Sequence, residues 1–286
     1  MNDEARPAFV PFALTVVALV AFAANSVLCR LALGDASIDP WSFTAVRLGT
    51  GALTLLALTA KRPRAAHTRA GWKRAGYLVL YALPFSLAYV ELDTGTGALL
   101  LFGSVQLTMI ALGIRAGERP GALEWLALLG AAGGVVYLVS PGVTAPDPLG
   151  AALMLAAGVG WGLYSIAGKD ARNPTVTTAD AFRRAAMIVA PATALAFPYL
   201  SITLGGALLA SVSGALTSGI GYAVWYAALR DLSVTRAALV QLSVPVLAAF
   251  GGVVLVSEAI TLRLAIASVV ILGSIAVGVA GRPPRS

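Results

Sequence analysis

Two glutamates, Glu118 and Glu258, are the carboxylates of this sequence that most invite a chemical role. Each stands between two long apolar runs, and the two lie 140 positions apart. Such a pair could carry protons. A carboxylate that precedes a helix can also accept hydrogen bonds from the free N–H groups of the first turn and complement the positive end of the helix dipole. Because the same residue type recurs at the same point of two similar segments, we favour a pair of structural caps, each at the start of the helix that follows it.

Other reactive constellations are excluded by counting. A single cysteine, Cys29, and a single histidine, His67, cannot form a disulfide scaffold, a zinc cluster or a Cys/His nucleophile pair. The sequence also contains no G-x-S-x-G and no D-x-x-D motif. It therefore predicts no catalytic residue, no metal and no cofactor, and an intramembrane enzyme is the least favoured class.

The composition indicates a protein that is embedded in lipid. The 286 residues are 58% hydrophobic and 12% charged, whereas a soluble globular protein is about a quarter charged. The net charge of +7 comes from basic residues that are scattered among short segments. Because they form no basic helix and accompany no aromatic reader module, they indicate membrane topology and not a nucleic-acid partner.

Apolar stretches long enough to cross a bilayer, about 20 residues each, predict an all-α integral membrane protein with ten transmembrane helices. Of the 20 basic residues, 15 lie in alternate connections between the spans, counted from the N-terminus. The positive-inside rule then predicts cytoplasmic N- and C-termini and, in a bacterium, a location in the inner membrane. The predicted spans are 9–31, 40–60, 73–91, 95–115, 121–140, 148–167, 180–199, 205–229, 235–256 and 261–281.

The two halves of the chain resemble each other. FAANSVLCR (22–30) aligns with WGLYSIAGK (161–169), and GALLLFGSVQLTMIALGIRAGE (97–118) aligns without a gap with AALVQLSVPVLAAFGGVVLVSE (237–258). We predict two repeats, 1–145 and 146–286, of five spans each. An odd number of crossings inverts the second repeat, which is the usual ground plan of alternating-access transporters.

These features resemble the drug/metabolite transporter superfamily, and within it the EamA-type exporters and the YddG-like inner-membrane amino-acid exporters. The resemblance implies ten helices around a central cavity, with the third, fourth, eighth and ninth helices among its walls. It also implies export of aromatic or neutral amino acids or related amphipathic compounds. A multidrug or organic-cation exporter of the same fold is the alternative, and a channel or scaffold is a further one. Pro245 departs from the repeat, because its counterpart is Val105.

Residues inside the spans supply the candidate substrate contacts. Three amides offer both donors and acceptors to a zwitterionic solute, and aromatic residues in the third, sixth and eighth spans could form an apolar wall. Interhelical hydrogen bonding and core packing are the commoner uses of both kinds of residue. Arg47, seven residues into its span, is a candidate carboxylate contact, although an arginine at this depth more often snorkels to the interface. The cavity candidates are Asn25, Tyr81, Phe85, Tyr89, Gln106, Trp161, Tyr164, Tyr222, Trp225 and Gln241.

The predicted partners are a small-molecule substrate and the lipid bilayer. The sequence leaves the oligomeric state open, and a monomer would suffice for this architecture.

Overall fold

The computed structural model describes residues 9–63, 68–117, 121–168, 171–228 and 240–280, and this part of the chain is helical. It contains no strand, only an isolated bridge between Ile38 and Ile202. The helices are α1 (Phe9–Gly34), α2 (Pro40–Leu58), α3 (Arg69–Ala88), α4 (Thr94–Arg115), α5 (Ala122–Val139), α6 (Pro148–Gly168), α7 (Pro174–Leu195), α8 (Leu204–Ala228), α9 (Ser243–Val256) and α10 (Leu262–Ala280). The all-helical class predicted from the sequence is confirmed.

Capping residues fix where several helices begin. The side chain of Asp39 accepts hydrogen bonds from the N–H groups of Trp41 and Ser42 at the start of α2. Asn173 accepts from the N–H of Val176 and is followed by a proline, which suits the first position of a helix. Because of this cap, α7 begins six residues before the predicted span 180–199. Asp180, expected near a span end, therefore lies well inside α7.

Six of the described helices, α1, α2, α4, α5, α6 and α8, are long and apolar enough to cross a membrane. The protein is therefore a multi-pass membrane protein. Helices α3 and α7 contain several charged residues each, which lowers their hydropathy. Within the described chain the apolar parts of α9 and α10 are shorter, Ser243–Val256 and Leu262–Gly278. The layout of ten spans in two repeats stays a prediction.

Two of the helices are irregular. Ser213–Ile220 of α8 and Gly252–Val256 of α9 are π-helical, a form that is common at functional sites. A helical stretch at Val240 and Gln241 is interrupted at Leu242, immediately before α9. Pro245 accounts for the interruption, because proline has no N–H to donate to the carbonyl four residues earlier and its ring crowds that carbonyl.

The helices pack closely around a common centre. Helix α6 contacts both α3 and α4, α2 contacts α7 and α8, and α1 contacts α8 and α9. Glycines allow these approaches: a Cβ on Gly158 would meet Ser104 of α4, and a Cβ on Gly160 would meet the backbone of α3 at Leu80 and Tyr81. The remaining pair, α5 and α10, packs together in the same way through Gly134 and Ile271. Side chains from α1, α2, α3, α4, α6 and α8 consequently meet in the interior.

Candidate functional site

A narrow cavity lies where these six helices meet. Its volume is about 30 Å³, enough for one or two water molecules. Both halves of the chain contribute to its walls. The lining residues are Phe22, Asn25, Ser26, Arg47, Tyr81, Phe85, Leu101, Phe102, Trp161, Thr217, Ser218, Tyr222 and Gln241.

Six of the thirteen lining residues are aromatic. The ring of Trp161 lies 5.0 Å from that of Tyr81 and 5.1 Å from that of Tyr222, centroid to centroid. Phe85 lies 5.3 Å from Tyr81, and Phe22 lies 5.6 Å from Tyr222. These are tilted pairs at the separations that aromatic side chains favour. The rings come from four helices, so any movement of α1 or α8 relative to α3 or α6 changes the shape of the cavity.

Arg47 is the charged residue of the cavity lining. It is the eighth residue of α2, about 10 Å along the helix axis from Pro40, and only 1% of its surface is exposed. Its Nε donates to Ser218 Oγ at 3.2 Å and its Nη2 donates to Tyr81 Oη at 2.8 Å. The guanidinium carbon also lies 4.9 Å from the centroid of the Phe85 ring. The side chain is thus directed into the bundle and does not snorkel.

The charge of Arg47 is not neutralised within the described chain. The ion pairs there join Arg30 to Asp93 and Glu258, and join Arg183 and Arg184 to Asp180. Arg47 makes none of them, and its Nη1 is buried without a hydrogen-bond partner. A buried charge that is neither paired nor fully hydrogen-bonded is costly, so this arrangement needs a reason beyond stability.

Two amides also reach the cavity. Asn25 Oδ1 accepts a hydrogen bond from Ser213 Oγ at 2.7 Å, and Asn25 Nδ2 lies 3.4 Å from Tyr81 Oη. Asn25 therefore links α1 to the π-helical part of α8 and to α3. Gln241 lies just before the interruption at Leu242, so its backbone carbonyl is the one that Pro245 cannot bond.

The cavity brings together seven of the eleven residues predicted to contact a substrate. Four lie elsewhere: Tyr89 donates to the carbonyl of Thr94 at 3.3 Å, Tyr164 stacks on Trp161, Trp225 packs against Phe22, and Gln106 is partly buried in α4 outside the lining. The seven are Asn25, Arg47, Tyr81, Phe85, Trp161, Tyr222 and Gln241.

Six lining residues were not among the candidates. Phe22 and Ser26 belong to the repeated segment that also contains Asn25, so the repeat could have indicated them. Thr217 and Ser218 are adjacent hydroxyl residues inside an apolar span, a weaker signal. Leu101 and Phe102 have no sequence feature that separates them from ordinary apolar residues.

Glu258 lies outside the cavity, on the loop between α9 and α10. Its two carboxylate oxygens accept the N–H of Thr94 at 3.0 and 2.8 Å, and Oε1 also accepts Thr94 Oγ1 at 3.1 Å and Arg30 Nε at 3.2 Å. Burial raises the pKa of this carboxyl, and nearby Asp93 adds to the rise. The bonds from Thr94 and the charge of Arg30 oppose it.

Glu258 consequently caps α4, and the prediction that it caps the helix following it is wrong. That position is taken by Thr261, whose hydroxyl accepts the N–H of Leu264. Ser257, in the left-handed conformation at φ 61°, ends α9 and begins the loop that places Glu258 beside α4. Its predicted counterpart, Glu118, lies outside the described residues.

A second cavity, of about 210 Å³, lies among loops close to Glu258. Its walls include Glu91 and Asp93, both exposed, together with Thr96, Thr144 and Thr261. In the part of the chain that the structure describes, no three His, Cys, Asp or Glu side chains come close enough to hold a metal ion.

Comparison with known proteins identifies a family and two similar proteins. The model of the EamA-like transporter family matches residues 148–279. An uncharacterized protein of Pseudomonas aeruginosa is 48% identical over 274 residues, which is 96% of each chain. A protein of known crystal structure is 25% identical and superimposes with a TM-score of 0.65, covering 92% of this chain and 95% of its own.

Proposed function

Because the chain belongs to the EamA-like transporter family, we propose that it is a secondary transporter that moves small organic metabolites across the inner membrane by alternating access. The observation that carries the proposal is the interior cavity, whose walls combine residues of 1–145 with residues of 146–286. Phe22, Arg47 and Tyr81 come from the first half, and Trp161 and Tyr222 come from the second. A solute held there would contact both halves, as alternating access requires.

The helix contacts support an inverted repeat. In such a repeat α1 corresponds to α6, α3 to α8 and α4 to α9. The contact of α3 with α6 then has its counterpart in α8 with α1, and the contact of α4 with α6 has its counterpart in α9 with α1. The repeat exchanges α2 with α7 and α5 with α10, so each of these two contacts is mapped onto itself. The ten-span, two-repeat layout is the simplest arrangement that yields these pairs.

The size of the cavity supports movement of its walls. A space of about 30 Å³ is too small for any amino acid, so a substrate enters only when the walls separate. The π-helical segments of α8 and α9 lie in helices that line or adjoin the cavity, where a π-helix provides a place for a helix to change its register. We propose that the two halves rock against each other around Trp161 and its neighbouring rings.

The chemistry of the walls supports amino acids or related amphipathic compounds as substrates. The rings of Phe22, Tyr81, Trp161 and Tyr222 suit an aromatic or aliphatic side chain. The amides of Asn25 and Gln241 suit the polar groups of an amino acid. The same rings would also suit an organic cation, so an organic-cation exporter of the same fold is the second candidate.

The distribution of Lys and Arg supports cytoplasmic termini and, with the family, a location in the inner membrane. The proposed partners are a small-molecule substrate and the lipid bilayer, and a monomer contains the whole cavity.

Transport by purified protein in liposomes tests the proposal. We expect saturable flux and counterflow for at least one radiolabelled neutral or aromatic amino acid, measured with and without a pH gradient. Replacement of Trp161 by leucine should lower the flux at least tenfold, because it removes the ring that joins Tyr81 to Tyr222. The matched control is Trp125→Leu, since Trp125 is 45% exposed on α5. Flux that does not saturate would indicate a channel, and an absence of flux across the whole panel would refute amino-acid transport and leave the organic-cation exporter as the candidate.

A further inference from the structure

The unpaired nitrogen of Arg47 indicates what kind of group the cavity binds. Resting on the proposed function, we infer that Arg47 Nη1 and the hydroxyl of Tyr81 form a carboxylate-binding site, so that a transported solute must carry a free carboxylate. Organic amines that lack a carboxylate are excluded by the same charge.

The first argument is electrostatic. Arg47 is 1% exposed, no acid of the described chain pairs with it, and its Nη1 has no hydrogen-bond partner. Its Nε and Nη2 are bonded to neutral hydroxyls, which leave its full positive charge in place. A carboxylate would supply both the missing acceptor and the missing charge, and a guanidinium binds a carboxylate through geometrically matched N–H groups.

Tyr81 provides the second donor. Its Oη accepts from Arg47 Nη2 at 2.8 Å, and Asn25 Nδ2 points at the same oxygen from 3.4 Å. These two donors occupy the acceptor side of the hydroxyl, so its own proton must point elsewhere. No described residue accepts that proton, and Tyr81 lines the cavity beside Arg47. The O–H group of Tyr81 and Nη1 of Arg47 are therefore two free donors on neighbouring side chains.

The site is held in place from both halves of the chain. Ser218, in the π-helical part of α8, fixes Nε, and the rings of Phe85 and Tyr81 lie 4.9 and 5.1 Å from the guanidinium carbon. Helix α8 approaches α2 this closely because residue 214 is glycine: a Cβ there would overlap Thr50 and the backbone of Arg47. Donors that are already oriented bind a ligand with less loss of conformational freedom.

Another fully buried arginine shows the contrast. Arg184 is 0% exposed, and its Nη1 and Nη2 also lack partners, but its Nε donates to Asp180 at 2.7 Å. Arg184 thus has a carboxylate partner inside the protein, which it shares with Arg183. It packs against Gly71 and Trp72 and does not line the cavity. Burial of an arginine alone therefore does not mark a ligand site here. An arginine that is buried in a cavity wall without a countercharge does mark a ligand site.

A competition experiment on the wild-type protein provides the first test. L-phenylalanine, 3-phenylpropionate, L-phenylalaninamide and phenethylamine share a phenyl ring and differ in whether they carry a carboxylate. We expect the two carboxylates to inhibit counterflow of radiolabelled amino acid, and the amide and the amine to require at least tenfold higher concentrations. Equal inhibition by phenethylamine would overturn the inference and leave the transporter proposal intact. No flux of any amino acid would refute the proposed amino-acid transport itself.

Variants provide the second test. Arg47→Gln should weaken carboxylate binding roughly 10- to 100-fold, as expected for a lost charge-assisted hydrogen bond, and should remove the discrimination against phenethylamine. Arg47→Lys, which keeps the charge but not the forked geometry, should restore part of the affinity, and Tyr81→Phe should lose about tenfold. Arg183→Gln, a charge loss outside the cavity, is the control. Unchanged selectivity in Arg47→Gln would contradict the inference. If that variant does not fold, the wild-type competition series still decides.

Discussion

Replacement of Glu258 by alanine should destabilise the protein without touching the cavity. The carboxylate is the acceptor for the first N–H of α4, because Asp93, the residue at the cap position, makes no side-chain cap bond. The loss of this cap costs about 1 kcal/mol. The hydroxyl of Thr94, whose residue is fully buried, loses its acceptor at about 1 kcal/mol more. Arg30 keeps two backbone carbonyl partners, so the loss of its ion pair with Glu258 costs at most about 1 kcal/mol.

The expected total is about 2–3 kcal/mol in the free energy of unfolding. For a protein of this size that corresponds to an apparent melting temperature lower by about 3–5 °C. Cys29 allows the measurement, because it is the single cysteine and is buried, so a fluorogenic maleimide reports its exposure on heating. Scans at one fixed rate are compared, since unfolding of such proteins is commonly irreversible. The control is Glu91→Ala, an exposed carboxylate beside the same helix end. Equal melting temperatures for the two variants would refute the capping role.

Two further measurements follow from the same structure. Glu258→Gln keeps an acceptor for Thr94 but cannot titrate. Burial raises the pKa of Glu258 above the ordinary value of 4.5, so the folded protein binds the proton more tightly than the unfolded chain. The stability gained in this way is complete below pH 4.5 and is lost as the pH rises through the raised pKa. The melting temperature of the wild type relative to Glu258→Gln, followed by tryptophan fluorescence, should therefore increase from pH 7 to pH 5, and a constant difference would contradict this sign. Gly214→Ala should lower both melting temperature and flux, because its Cβ would force α8 away from α2. Gly49→Ala, where a Cβ meets nothing within 4 Å, should be neutral or stabilising, and similar losses in both variants would exclude the close approach as the cause.

Local features of the sequence predict much of this architecture. Long apolar runs specify helices because lipid offers the backbone no other partner, and capping residues specify where helices begin. The sequence Asn173-Pro174 contains the start of α7, although the hydropathy pattern places it six residues later. The early start matters, because it puts Asp180 and Arg184 inside the helix, where they form a buried ion pair. A cap is a local signal and could have been weighed above hydropathy at this position.

Local sequence does not predict the hydrogen-bond partners of polar residues, because these partners are determined by helix packing. Glu258 was recognised as a cap from its type and position, but the helix that it caps begins 164 residues earlier in the chain. Nothing near Glu258 in sequence indicates Thr94. The depth of Arg47 within its span can be predicted from the sequence. The inward direction of its side chain depends on Ser218, which is 171 residues away. Sequence reasoning therefore found the residue types and missed the contacts that give them their roles.

Three arginines show how this difference bears on function. Arg30 and Arg184 each pair with a carboxylate of the same chain, and each holds helices together, Arg30 at the start of α4 and Arg184 between α3 and α7. Arg47 is held by two hydroxyls and two rings and pairs with no carboxylate of the described residues. In a membrane protein an unpaired buried charge is expensive, and a structural role would be served better by a neutral residue or a paired one. The countercharge of Arg47 is therefore best supplied by a molecule that enters and leaves the cavity, which is what a carrier for carboxylate-bearing solutes requires.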